Sequence, residues 1–152
     1  MQSGSYQRFG LMMLTSFIVM YGLMFINADQ LDHVMLSFTR TYMALLMVAA
    51  MAIIMLLYML SMYQNKRLNA IILIGSVVAF LGVLALLRTQ TPISDEQWMR
   101  GMIPHHSSAI MTSQQAHLKD PEAIELAKEI IESQKREIAQ MKKILYRLEN
   151  SQ

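Results

Sequence analysis

Thr41-Tyr-Met-Ala-Leu-Leu-Met-Val-Ala-Ala-Met-Ala-Ile-Ile-Met-Leu-Leu-Tyr-Met-Leu-Ser-Met-Tyr63 contains no charged residue. One ionised side chain at the centre of a membrane span costs roughly 2.5 to 3.5 kcal/mol. A run this long and this apolar therefore predicts a transmembrane helix. Ala70 to Leu87 is uncharged as well, and so is Phe9 to Asn27. The latter, at about 1.5 Å per helical residue, extends about 28 Å, close to the ~30 Å hydrocarbon core. A signal peptide is the competing reading of the first run, with Arg8 as its basic flank. The run is longer than the usual ~7 to 15 apolar residues, and Ile26-Asn27-Ala28 is a poor cleavage site. The expectation is a membrane domain over residues 1–88 with three spans, at about 9–27, 41–63 and 70–87.

Charge is distributed unevenly. The chain has 13 Lys and Arg and 11 Asp and Glu, and only Arg8, Asp29, Asp32, Arg40, Lys66, Arg67 and Arg88 precede residue 89. The remainder form a polar C-terminal third in which basic and acidic residues nearly cancel. The net charge of +2 is thus no sign of a nucleic-acid partner. Arg8, Lys66 and Arg67 fall on one side of the expected spans, against Arg40 and Arg88 on the other, which also carries Asp29 and Asp32. This bias puts the N-terminus in the cytoplasm and the C-terminal part outside, periplasmic or extracellular if the membrane is a bacterial inner or plasma membrane. His33 and Met35, in the first connector, then share a compartment with the C-terminal part.

Met43, Met47, Met51, Met55, Met59 and Met62 make an i, i+4 ladder along the second span, while Ile71 to Leu87 contains no methionine. Both packing and a thioether route for Cu(I) are consistent with that asymmetry. In the third span, Gly75, Ala79 and Gly82 form a small-residue stripe of the kind that allows close helix approach.

A polar linker, 89–93, leads to Ser94-Asp-Glu-Gln97, a capping box with acidic residues in the first turn. The helix it opens is expected to reach about Leu118. Asp120-Pro121 reads as N-cap and first residue of another helix, running to about Glu149. Its seam alternates Ile124, Ile131, Ile138 and Leu145 with Ala127, Gln134, Met141 and Leu148. Residues 94–149 are therefore predicted to form an antiparallel two-helix hairpin, which makes the whole chain all-α.

Chemistry concentrates in Met99-Arg-Gly-Met-Ile-Pro-His-His-Ser-Ser-Ala-Ile-Met111. Three of the four histidines (His105, His106, His117) lie in or just after it, with Met99, Met102 and Met111 inside it, and the chain has no cysteine. A soft or borderline ion without thiolate must be held by imidazole and thioether. On a helix, Met99, Met102, His106, Ile110, Ser113 and His117 share a face. Pro104, which lacks an N–H and crowds the Arg100 carbonyl, predicts a kink that aims both imidazoles at one point. Enzymatic alternatives fare worse. There is no Glu-x-x-His of a di-iron bundle, no His-Glu-x-x-His of a zinc hydrolase, and no evident third group behind Ser107 or Ser108 for a serine nucleophile.

Met102-Ile103-Pro104-His105-His106-x-x-Ala109-Ile110, followed by Asp120-Pro121 and Gln134-x-x-Glu137-Ile138-x-x-Met141, resembles the "domain of unknown function 305" family, a ferritin-like helical family associated with copper handling. The likeness covers roughly residues 94 to 148, with Thr112 standing where soluble members carry a methionine. It implies half of a ferritin-like four-helix bundle, completed by pairing with a second copy. It also adds Glu137 and Met141 to His105, His106, Met102 and Met99 as candidate metal ligands. Glu137 reads equally as a ligand, as a hydrogen-bond partner of an imidazole, or as solvated; Met141, on the seam, reads also as core. The expected cargo is copper, as Cu(I) or Cu(II), with silver or zinc as further candidates. The function expected is a membrane-anchored extracytoplasmic protein for metal buffering, resistance or handover. The alternative is a membrane interaction protein whose hairpin mediates homo-oligomerisation without metal.

Overall fold

The computed structural model describes residues 2–150. Its elements are α1 (Gln2–Leu23), a 3-10 turn (Leu31–His33), α2 (Phe38–Tyr58), α3 (Lys66–Thr89), α4 (Asp95–Gln115) and α5 (Pro121–Glu149), with no strand among the described residues. The chain divides into two compact units. One comprises the segment up to Leu23 together with Thr39–Pro92, the other Met24–Phe38 together with the chain from Ile93 onward.

In the first unit, among the described residues, two helices rather than three are long and apolar enough to cross a membrane, α2 and α3. The expected first span falls short because its helix ends at Leu23 and residues 24–27 turn away. Phe9 to Leu23 then supplies only about 22 Å of apolar helix, and the turns before it carry Gln7 and Arg8. The second span is also shorter than expected. α2 stops at Tyr58, and the Met62 N–H donates to the Met59 carbonyl at 2.9 Å within a turn. Met59 and Met62 are therefore off the helix and the methionine ladder is broken. Asn65 restarts the chain as N-cap of α3, its side chain accepting from the Leu68 N–H at 3.0 Å.

The start of α1 is tied to this turn. The Tyr6 hydroxyl donates to Asn69 Oδ1 at 2.8 Å, Asn69 Nδ2 donates to the Tyr63 carbonyl at 2.6 Å, and the Phe9 and Tyr63 rings meet edge-on at 5.6 Å. Phe9, Ala52, Leu56 and Tyr63 make the buried core here, with Met12, Met13, Met55 and Met59 against it. The stripe on α3 brings no helix close at its glycines. A Cβ built on Gly75 or Gly82 meets nothing within 4 Å.

In the second unit the hairpin's caps follow the sequence closely. Ser94 Oγ accepts from the Gln97 N–H at 3.3 Å, and Asp120 Oδ1 accepts from the Ala123 N–H at 2.9 Å with Pro121 in the first turn. The Gln97 side chain does not close the box. Its Oε1 accepts instead from the Phe38 N–H at 3.1 Å, satisfying a donor that the start of α2 would otherwise leave open. α4 ends at Gln115, short of Leu118, whereas α5 reaches Glu149. Met99, Ile103 and Ile110 of α4 pack with Ile138, Met141 and Leu145 of α5 in one buried core, and Arg100 pairs with Glu149 at 2.6 Å where the hairpin opens. Pro104 lies inside α4, which the chain continues without a break to Gln115.

Candidate metal centre

His106 is the best-defined group of the predicted site. It lies one turn beyond Met102 on α4, so its ring reaches back along the helix, and Nδ1 sits 2.9 Å from the Met102 carbonyl oxygen. A carbonyl can only accept, so Nδ1 carries the proton and Nε2 faces the other way. There, 2.6 Å off, is Oε2 of Glu137 from α5. The second oxygen of Glu137 accepts from the Ser133 hydroxyl at 2.7 Å. Ser133, and then His106, hold the Glu137 carboxyl below the usual carboxylate range. Anchoring a histidine through Nδ1–H to a backbone carbonyl is how proteins orient an Nε2 that ligates a metal.

The neighbouring donors take different positions. Met99 and Met141 are buried in the hairpin core, and Met102 packs against it half-buried. His105, one residue from the buried His106, is exposed. The two imidazole centroids nonetheless lie 5.9 Å apart at 65°. With metal–nitrogen bonds of about 2.0 Å, two rings on one ion have centroids roughly 5 to 6 Å apart, a spacing this pair has while the Nε2 of His106 is turned to Glu137. Gln134 is half-buried on α5, and the α5 partner of His106 is Glu137. No three His, Asp or Glu side chains converge among the described residues. A site here therefore has to draw on the thioethers, and a donor set of imidazole, thioether and one carboxylate suits a soft ion better than a hard one.

The connector Met24–Phe38 supplies what sequence reasoning missed. Ser107 is 0% exposed, and its Oγ accepts from the Asp29 N–H at 2.7 Å and lies 2.9 Å from Nδ1 of His33, itself buried. Burial first, and then the Lys142 ammonium, push the His33 ring below its ordinary value against the smaller opposing pull of Asp32 and Asp29. Near neutral pH the ring is therefore uncharged, and it shares one hydrogen bond with the Ser107 hydroxyl through Nδ1. Asn27 hydrogen-bonds Ser108, Lys142 pairs with Asp32, and Met35 packs against the hairpin core. Ser107 thus has a histidine after all, but a fully buried hydroxyl that receives a loop is an anchor for that loop and not an accessible nucleophile. An aperiodic loop between apolar runs gives no sequence signal for such a contact. The shared compartment of His33, Met35 and the hairpin was the sole hint.

A two-helix hairpin carrying Met-Ile-Pro-His-His on its first helix and Gln-x-x-Glu-Ile-x-x-Met on its second, appended to apolar helices, defines the class of protein. Residues 82–145 match the profile of the family described as Domain of unknown function (DUF305), and the chain belongs to that family. It is also 36% identical over 138 residues, 89% of each chain, to a protein of Acanthamoeba polyphaga mimivirus described as "Uncharacterized protein L153". That likeness extends well beyond the family segment into the apolar helices. No solved structure matches the chain.

Proposed function

We propose that this protein is a membrane-anchored metal-binding protein that captures copper or silver outside the cytoplasm, for buffering, resistance or handover. The observation that carries the reading is the His106 ring. Its Nδ1 is committed to the Met102 carbonyl and its Nε2 is turned toward Glu137, beside a core holding Met99, Met102 and Met141. His106 and His105 would supply nitrogen, the methionines thioether, and Glu137 a carboxylate that either ligates or orients the ring by a hydrogen bond. α2 and α3 serve as the anchor. Lys66 opens α3 with Arg67 beside it, and a cytoplasmic position for these cations places the ends at Phe38 and Thr89, and with them the connector and hairpin, on the far side.

The test is titration of the detergent-solubilised full chain with Ag(I), Cu(I) and Zn(II). Sub-micromolar binding of Ag(I) and Cu(I) is expected, weakened at least about tenfold by the double substitution His105→Ala, His106→Ala. Equal affinity in parent and variant would overturn the reading. A second reading, a homo-oligomerising interaction protein in which the hairpin pairs with another copy, is favoured by the exposure of Leu118, Ile124 and Leu126 at the turn end of the hairpin.

A further inference from the structure

Between the 3-10 turn and α2 the chain runs without helix over residues 34–37, and Val34 is extended at φ −80° and ψ 98°. Successive side chains of an extended segment face opposite ways. His33, Met35 and Ser37 are the inward row, with the two polar side chains buried and Met35 packed against the hairpin core. Val34, Leu36 and Phe38 are the outward row, and all three are exposed. Polar groups thus face protein while apolar groups face out, the reverse of the pattern that water favours. Leu31, in the turn before them, is 92% exposed and Leu36 67%. One such residue is ordinary on a surface, whereas a contiguous row marks an interaction site. The row cannot fold under, because Ser107, Lys142 and Gln97 hold the connector on the hairpin at Asp29, Asp32, His33 and Phe38.

Chain length sets what lies opposite this row. α2 has 21 residues, about 31 Å of helix, which matches the ~30 Å hydrocarbon core and puts Phe38 at its edge when α2 spans. Leu36, two residues earlier at no more than about 3.6 Å each, lies within about 7 Å of that edge. The headgroup region is roughly 5 to 8 Å deep on each side, so Leu36 stays within it. Trp98, the chain's one tryptophan, is half exposed and follows Gln97, which caps Phe38. Tryptophan is enriched at that depth. We propose that Leu31, Val34 and Leu36 rest in lipid at the boundary of headgroups and acyl chains, so that the connector is a saddle between the bilayer surface and the hairpin. Ser107 receives this saddle, and His105, two residues before it, projects about 200° around α4 from it, away from lipid and toward water. The inference rests on the membrane-anchored reading above and adds to it the surface that orients the hairpin.

The chain has no cysteine, so nitroxide labels can be placed one at a time through Val34→Cys, Leu36→Cys, Val78→Cys and Gln140→Cys. Val78 is an exposed residue of α3, and Gln140 is exposed on α5 one turn beyond Glu137. The full chain is reconstituted in phosphatidylcholine vesicles. Electron paramagnetic resonance then measures collisions with oxygen, which concentrates in lipid, and with chromium oxalate, which stays in water. The oxygen-to-chromium ratio at Val34 and Leu36 is expected to exceed that at Gln140 at least about threefold and to approach that at Val78, as for a segment lying at the acyl boundary. Water-like ratios at Val34 and Leu36, with a lipid-like ratio at Val78, would overturn the saddle and leave the anchor intact. Low rates with both reagents at Val34 and Leu36 would show protein on the row and would overturn it too. A lipid-like ratio at Gln140 would overturn the orientation of the hairpin. A water-like ratio at Val78 would overturn the membrane reading itself.

Discussion

His33 and Glu137 show how the setting of one side chain decides what it does. His33 sits in an aperiodic connector of the sequence, yet it is buried against Ser107, with Asp32, Asp29 and Lys142 as its charged neighbours. Its folded-state value lies below the ordinary 6.5, chiefly through burial. Above pH 6.5 the ring is neutral in folded and unfolded chains alike and the seat is at full strength. As pH falls below 6.5 the unfolded chain takes up the proton first, and stability is lost down to the folded-state value. Asp32, held below 3.8 mainly by its hydrogen bond to Lys142, keeps its charge throughout that window. The metal-free chain is therefore expected to show a lower Tm at pH 5.5 than at pH 8, and His33→Gln to show a smaller drop. Parallel losses in parent and variant would assign the pH dependence to another group. Glu137, four residues from Ser133 on α5, was legible as a candidate from the family motif, but which of its three readings applies depended on the ring brought opposite it.

At the scale of elements, local chemistry predicted starts better than stops. Ser94, Asp120 and Pro121 act where the sequence places them, because an N-cap satisfies orphan N–H groups with a side chain from its own neighbourhood. Gln97 departs from the box because a remote donor, the Phe38 N–H, competes for its carbonyl oxygen. The helix end at Tyr58 carries no glycine or proline signal and the one at Leu23 only Gly22, inside the helix and not beyond it, and an absence of charge says where a helix is tolerated, not where it ends. The glycines of α3 give a direct test. Because a Cβ at Gly75 or Gly82 meets open space and alanine is the better helix former by up to about 1 kcal/mol, Gly75→Ala and Gly82→Ala are expected to leave Tm unchanged or raise it. A marked loss of stability would instead reveal a helix from another chain packed on that stripe.

For the whole molecule, the division into units follows contacts and not the order of the chain. The hairpin alone is small enough to bury too little of its surface for secure folding, and the connector supplies part of the missing cover by seating Met35, His33 and Asp29 on it. The turn end stays open, with Leu118 at 41%, Ile124 at 37% and Leu126 at 57% exposure. If a second copy covers this end, light scattering of the detergent-solubilised chain should report a dimer, and Ile124→Lys with Leu126→Lys should report a monomer with Ag(I) affinity retained, since neither residue belongs to the core beside His106. A monomeric parent would dismiss the dimer.

The sequence by itself determined the helical class, the apolar character of the α2 and α3 stretches, the two caps of the hairpin, its seam and the family, since each is written in local composition, in a period, or in a motif of near neighbours. Tertiary structure decided that the first apolar run stops short of a span, that His106 turns to Glu137, and that residues 24–38 fold with the hairpin. Those outcomes rest on contacts between residues far apart in the chain, such as His33 with Ser107 and Phe38 with Gln97. No propensity or period encodes them, because each contact forms only once the fold has brought its two distant partners together.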